Sequence, residues 1–510
     1  MRKGTTCFLG IGSLALLSFA AAAEEAPVEE LGVRGLIVQA LEENLRLEIQ
    51  RVEIDINQQR EVLAGEELLP VLTVEATYRD ENRAQNQRET LSTGGIRLFE
   101  EKRYDGRVGV GKTFATGTQV ELSTGMARVT NSLTEEEDAP YDPEYEAVAN
   151  LSLVQPLLQG FGPAANLAAR RAQEFATAAV RLDARAQFEQ TIGQVLLAAY
   201  ENEFAVENIR VKEEAVALAE QVLAENRRRV EEGMMTPLDI SQAEVRVAEA
   251  REELIAARTF YRERQNRLRQ LTQSEVDPLA GPLVIAPIGD LLPEGNLEPV
   301  ALGRRVLAQN PSYRAALERI EAAGIRLQFA KNRSLPSLDL QGSLSYNGLN
   351  DQFDDSYHDF DNRTGPTWSL GVVARIPIDR GVARARVREA RQAERQALLQ
   401  SKQAEVELLT TLDDRVAAVR NAAERRVLVA ESVEAAEASL RTAERRLASG
   451  LTTTLDVLDQ QRELSVARTR ALSVLVEYRK ALIDLYLLQG TLSRQLNLVL
   501  DFQASPSGPS

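Results

Sequence analysis

The chain has 510 residues, enough for two or three ordinary domains or one elongated one. Apolar residues make up 44%, aromatics 5% and charged residues 27%, with Ala, Leu, Glu and Arg dominating long stretches, a composition that favours long helices. The formal charge of −16 argues against a nucleic-acid surface, which needs an excess of Lys and Arg.

Residues 1–23 read as a secretory signal peptide. Arg2 and Lys3 precede an apolar run from Cys7 to Ala23, and Ala21-Ala22-Ala23 then meets Glu24. Cleavage after Ala23 removes two bases and no acid, taking the charge from −16 to −18, and also removes Cys7, the only cysteine. Disulfide and thiol chemistry are therefore not expected of the mature chain. No later run of 18 apolar residues exists, so an exported chain of this sequence spans a membrane only as a β-barrel.

A helical pattern opening at ALEENLRLEI (40–49) gives way to strands at LLPVL, around Pro70. Leu72, Val74, Ala76 and Tyr78 then alternate with Val71, Thr73, Glu75 and Thr77, which predicts a strand over 70–79. A polar loop (81–103), a second strand (104–114), a tight turn at Ala115-Thr116-Gly117, a third strand (118–130), an acidic loop (131–146) and a fourth strand (147–155) follow. Long loop, short turn, long loop is the rhythm of outer-membrane barrels. A soluble sheet shows the same alternation; the export signal, acidity and connections favour the barrel.

Residues 106–113, GRVGVGKT, satisfy the phosphate-binding loop pattern letter for letter. That loop needs a strand before it and a helix after it, so that amides at the helix start hold phosphate. Here a turn and another strand follow. The segment reads as the second strand, with Val108, Val110 and Phe114 on one face, and Arg107, Gly109, Gly111 and Thr113 on the other. Lys112 then snorkels from the apolar side. With one histidine, His358, and no mature cysteine, catalytic constellations are scarce, and no enzyme is expected.

A helix over about 163–232, with no proline after Pro163, ends at EEGMMTPLDI (231–240), and a helix of about 35 residues follows. A Pro-rich linker, 274–300, breaks the pattern. The plan then repeats: VLAQNPSYRA (306–315), SLPSL around Pro336, two strands within 336–377, a long helix over 382–449, the break ASGLTTTLDV (448–457) and a last helix. Pro70 and Pro336 are offset by 266, Pro156 and Pro377 by 221, Gly233 and Gly450 by 217. Four landmarks in one order indicate tandem duplication, 24–273 and 301–490, with a tail over 491–510. In the second half Leu338, Leu340, Leu344 and Tyr346 share a face, as do Trp368, Leu370, Val372, Ala374 and Ile376. Asp351, Asp354, Asp355, Asp359 and Asp361 crowd its loop and could attract divalent cations, though their spacing fits no calcium loop. Val433, Ala436, Leu440, Ala443 and Leu447 repeat by three and four as a coiled-coil seam.

On the LLP and SLP strand starts, the QPLLQG and IPIDRG junctions and the two Gly-marked breaks, the chain resembles the TolC-like outer-membrane efflux protein family over essentially its whole mature length. The resemblance implies a mainly α fold with a membrane β-barrel portion, closed as a homotrimer, with a helical coiled-coil tunnel in the periplasm and the 274–300 linker at its equator. It implies a non-enzymatic exit duct of a tripartite efflux or type I secretion system, working with a periplasmic adaptor protein and an inner-membrane pump, with no cofactor and no nucleic acid. The alternative is a periplasmic coiled-coil scaffold. The family has four strands per protomer, twelve in all. Four plus two here would give eighteen; the hairpin 104–130 is the departure, and it either widens the barrel or lies outside the strand count. The resemblance makes Asp456 and Asp459 an electronegative ring at the tip, adds Asp239 to the gate, and makes Gly233, Met234, Gly450, Leu451 and Thr453 the adaptor-docking tips. The other reading of the acids is that they face the positive end of a helix dipole. Leu447 and Thr452 stand where the family's locking Tyr and Arg would be.

Overall fold

A computed structural model describes residues 32–132, 141–272, 283–295, 297–362 and 366–499. The signal segment, half of the acidic 131–146 loop and part of the 274–300 linker lie outside the described residues. The first half runs α1 (Val33–Glu43), α2 (Leu45–Leu63), β1 (Val71–Ala84), α3 (Gln87–Ser92), β2 (Leu98–Thr113), β3 (Gln119–Asn131), β4 (Glu144–Pro156), α4 (Pro163–Asn166), α5 (Ala168–Glu231) and α6 (Pro237–Thr272). The second runs α7 (Pro299–Gln309), α8 (Pro311–Arg333), β5 (Ser337–Asn350), α9 (Phe353–Asn362), β6 (Thr367–Arg375), α10 (Gly381–Ala448), α11 (Thr454–Gln489) and α12 (Leu492–Gln495).

All six strands form one antiparallel sheet in chain order, β1-β2-β3-β4-β5-β6. Its register lines up the side chains in rows. Leu72, Val110, Leu122, Leu151, Leu344 and Trp368 are successive cross-strand partners, all apolar. One residue along, Thr73, Gly109, Ser123, Asn150, Ser345 and Thr367 are partners in turn, and none carries a large apolar side chain. Because side chains alternate faces along a strand, these rows belong to opposite faces of the sheet. The apolar face is open: Leu72 is 65% exposed and Trp368 72%. At one end of that face sits an aromatic group, Tyr78 against Tyr104 with ring centroids 4.8 Å apart, and Tyr145 against Phe353 of α9.

The strands outrun their predicted lengths. Residues 80–84 and 98–103, expected in a loop, are paired, with Asp80 opposite Lys102 and Arg83 opposite Phe99. Antiparallel backbone pairing continues beyond the apolar rows even though Glu81 stands opposite Glu101, and Arg83 pairs with Glu81 and Glu89 at that end of the hairpin. The 81–103 loop shrinks to a turn around α3, where Asn86 and Glu89 form a capping box. In the 347–366 loop, α9 packs against the strands: Ser356 Oγ donates to the Tyr145 carbonyl (3.0 Å).

GRVGVGKT lies within β2, paired on both sides, with Gly106 between Ala76 and Met126 and Gly111 between Val71 and Glu121. Its amides serve the sheet ladder and cannot converge on a phosphate. The Lys112 ammonium lies 5.3 Å from the centre of the Phe114 ring.

Helices α5 (64 residues) and α10 (68 residues) each extend about 100 Å. α5 pairs with α6, α10 with α11, and α11 also packs on α5. The α10–α11 seam buries Leu440, Val457 and Leu464, with Val433, Ala436, Ala443 and Leu447 packed on them, at the spacing of three and four visible in the sequence. The main core lies at the waist, where Leu36 and Ile37 of α1, Ile192 and Tyr200 of α5, Val306 of α7, Val416 and Val419 of α10 and Ile483 of α11 meet Ile288 and Leu292 of the linker. Arg479 ties the linker down: it pairs with Glu203 (2.6 Å) and Asp290 (3.2 Å), donates to the Ile288 carbonyl and stacks on Tyr200. The tail begins docked, with Leu492 and Leu496 in this core.

Each single helix expected before a strand block is two helices, broken at an asparagine. Asn44 caps α2 by accepting from the Arg46 amide and donates to the Leu271 carbonyl at the end of α6 (2.8 Å). Asn310 caps α8 by accepting from the Tyr313 amide and donates to the Leu488 carbonyl at the end of α11 (3.0 Å). The asparagines are 266 apart and the leucines 217, the offsets of the sequence landmarks; one bond made twice is what duplication produces. Asn310→Ala should cost about 1–3 kcal/mol, since it strips a cap and removes the donor to a part-buried carbonyl. The check is the thermal midpoint followed by far-UV circular dichroism; an unchanged midpoint contradicts the assignment.

Candidate functional site: the helical tips and the polar face of the sheet

The two hairpins end in copies of one local structure. α5 closes on Gly233, whose amide donates to the Val230 carbonyl (2.9 Å) while Met234 N–H reaches the Arg229 carbonyl (2.8 Å). α10 closes on Gly450, with Gly450 N–H to the Leu447 carbonyl (3.0 Å) and Leu451 N–H to the Arg446 carbonyl (2.9 Å). Both glycines are left-handed, at φ of +73° and +69°, which makes glycine the favoured residue at each stop. Met234 and Leu451, just beyond, are about two-thirds exposed, an apolar pair at the extremity.

The following helices start on an acid. Asp239 accepts from the Thr236 amide (2.8 Å) and hydroxyl (2.7 Å). Asp456 accepts from the Thr453 amide (2.9 Å) and from the hydroxyls of Thr453 and Thr452 (both 2.7 Å), while its own amide donates back to Thr453 Oγ1 (3.2 Å). The second arrangement is a full capping box. Hydroxyl bonds from Thr453 first, then Thr452, hold the Asp456 carboxyl well below its usual range, at about 2. Asp239 is lowered for the same reason, through the Thr236 hydroxyl and then its amide. Asp456 is thus a helix-start acid and an exposed carboxylate, ionised at neutral pH, at once.

Asp459, one turn on, accepts from Arg246 of α6 at 2.8 Å, and Arg246 also meets Glu249 (2.9 Å). This pair joins the α5–α6 hairpin to the α10–α11 hairpin near the tip. Further up, Gln461 donates to the Ala215 carbonyl and Arg468 meets Glu214. Arg246 was not singled out by sequence, because no local spacing links α6 to α11. Thr453-x-x-Asp456 did carry a local signal, the capping-box pattern with Asp in the acidic position. Leu447 and Thr452 both have structural partners: Leu447 lies in the apolar seam and Thr452 donates to Asp456.

The polar face of the sheet bounds a cavity of about 600 Å³. Glu75, Arg79, Arg103, Asp105, Arg107 and Glu146 line it, and Arg103 pairs with Asp105 (2.9 Å) and Glu146 (2.6 Å). Among the described residues no group of three or more His, Cys, Asp or Glu could hold a metal ion. The loop aspartates are dispersed along α9 and its approach, with Asp359 accepting from Asn350.

The Asp456 shift has a definite sign. A carboxyl whose folded value lies below its unfolded value stabilises the fold above about pH 4, and that contribution fades as pH falls toward 2. Carboxyl-selective ¹³C NMR should place the Asp456 midpoint near 2, and Thr453→Ala should move it up toward ordinary aspartate. An unmoved midpoint refutes the capping-box origin.

The sequence pattern of the family described as "Outer membrane efflux protein" matches residues 118–273 and 302–491, leaving β1 and β2 outside. A curated relative, the pyoverdine export outer membrane protein OpmQ of Pseudomonas putida, is 26% identical over 288 residues, 55% of this chain. That alignment spans 57% of the relative's length. Among solved structures, the outer-membrane channel OprN is 18% identical with a TM-score of 0.65, covering 90% of this chain and 89% of its own. CusC is 16% identical with a TM-score of 0.64, covering 91% and 92%. The Campylobacter jejuni CmeC outer membrane channel is 16% identical with a TM-score of 0.64, covering 90% and 85%. At these identities the structural matches establish a shared fold of strands and long helices. The family match, which takes in well over half of the chain, establishes more: the protein belongs to the outer membrane efflux protein family.

Proposed function

We propose that the protein is a passive exit duct in the outer membrane, a homotrimer whose strands cross the bilayer and whose helices carry the passage through the periplasm. The observation that supports this best is the pairing of an exposed apolar row with a polar row across all six strands. Such a sheet is suited to lipid on one face and water on the other. The periplasmic scaffold alternative leaves an apolar band open to water across six strands, larger than soluble proteins tolerate.

In this reading the tips meet a periplasmic adaptor protein, with Gly233, Met234, Gly450, Leu451 and Thr453 as the docking surface, and an inner-membrane pump supplies energy and substrate. The likeness to a pyoverdine exporter supports a small-molecule efflux system over protein secretion. The duct performs no chemistry of its own. Asp456 and Asp459 of three protomers form the acidic ring of the gate, with Asp239 beside it, and Arg246 draws Asp459 toward its own protomer.

The test is single-channel recording of the purified trimer in planar bilayers. Asp456→Ala with Asp459→Ala should weaken block by divalent and trivalent cations roughly tenfold or more. Arg246→Ala, which frees the Asp459 carboxylate, should strengthen it. Unchanged block in both variants contradicts the ring, and absence of any conductance contradicts the duct.

A further inference from the structure

We propose that β1 of one copy pairs with β6 of the next, so that all six strands of each protomer enter the wall and the closed barrel has eighteen strands. This rests on the trimeric duct proposed above and fixes what its membrane wall is made of.

The sheet is open. Its edges are β1, 14 residues long, and β6, nine residues long, and each has one row of backbone groups with no strand partner. In hydrocarbon such groups cost several kcal/mol each, so both edges must be covered. Self-closure does not suffice, because eight strands already make a barrel whose interior is filled by side chains. The edges suit a second copy. Strand directions alternate through six strands, so β1 and β6 run oppositely and β6 meets the neighbour's β1 antiparallel. Both edges also present the same two faces: Leu72, Val74 and Tyr78 on the apolar side of β1, and Trp368, Leu370 and Val372 on that of β6, all exposed.

Two competing walls would give twelve strands: one omits the 104–130 hairpin and needs β1 to leave β2, against a register unbroken from Val71 to Ala84, and the other uses β3 to β6 alone, the four strands inside the family match. The second requires the β1–β2 hairpin to peel away from β3. The structure opposes that at three points. β2 is paired with β3 without a gap from Glu101 through Thr113. The turn between them is fastened at its base: the Gly162 amide donates to the Thr116 carbonyl (2.9 Å), and Asn166 Nδ2 bridges the carbonyls of Ala115, Gly160 and Gly162. Gly117 lies so close to the Gly160 carbonyl and Asn166 that a Cβ there would meet the oxygen at 2.3 Å. Finally, β1 and β2 continue the lipid-type and water-type rows in register with β3, which a strand outside the wall has no reason to do. The extra strands also bring Glu75, Arg79, Arg103 and Arg107 to the polar face, so the added wall carries much of the lumen's charge. At equal tilt, eighteen strands make a barrel about half again as wide as twelve.

Disulfide trapping in the full-length chain decides between the walls. In a Cys7→Ser background, Thr73→Cys is combined in turn with cysteine replacing Ser369, Gly371 and Val373, and Ser123→Cys, in the same row on β3, is combined with the same three. Oxidation in native membranes should give covalent trimers from the β1 series and none from the β3 series. Trimers from β3 only, or from neither series, overturn the eighteen-stranded wall. The mass of the uncrosslinked protein in nanodiscs, read separately, reports on the duct itself: a trimer without β1–β6 links defeats only this inference, whereas a monomer defeats both.

Discussion

A backbone that crosses hydrocarbon must satisfy every amide and carbonyl within the protein, and it must turn an apolar face outward while doing so. Most of this architecture follows from that constraint. It demands long antiparallel strands, supplied in six runs. It demands side chains sorted by parity, as in the Leu72-to-Trp368 row and the Thr73-to-Thr367 row beside it. It also leaves two open edges, which the proposed trimer covers.

The helical part answers a different demand. A passage that continues for about 100 Å beyond the sheet needs stiff walls, and two hairpins of uninterrupted helix provide them. Their apolar contact is thin along the shafts and concentrated at the waist, where Arg479, Glu203 and Asp290 bind the linker to the bundle. At the tips, hydrogen bonds join the packing of the α10–α11 seam: two glycine stops, two threonine–aspartate caps and the Arg246–Asp459 pair between hairpins. Surface ion pairs of that kind contribute little stability. They suit a place where the proposed duct must open.

Much of this was legible in the sequence because it is periodic. Strand parity, the seam from Val433 to Leu447 and the breaks at Gly233 and Gly450 are all local patterns. What escaped depends on contacts distant in sequence. The pairing of 80–84 with 98–103 is set by the partner strand, since those charged residues carry no alternation of their own. Nothing around Asn44 breaks a helical pattern, and there the break depends on a side chain that reaches the end of α6 some two hundred residues away, whereas Pro311 after Asn310 is a local helix-start signal for the second break. Arg246 became visible only when α6 and α11 were brought together. The family resemblance marks Asp456 as a ring acid and its place at a helix start marks it as a partner of the helix dipole, and the structure shows its carboxylate in a capping box with Thr453.

The central claim is that the two faces of the sheet meet different solvents. Spin labels placed singly at 108 through 113 on β2 measure this directly, through collisions with oxygen, which concentrates in lipid, and with a water-soluble nickel chelate. In the membrane-inserted protein, oxygen accessibility should peak at Val108, Val110 and Lys112, and nickel accessibility at Gly109, Gly111 and Thr113, the two signals alternating out of phase. Nickel reaching both faces equally would contradict the account.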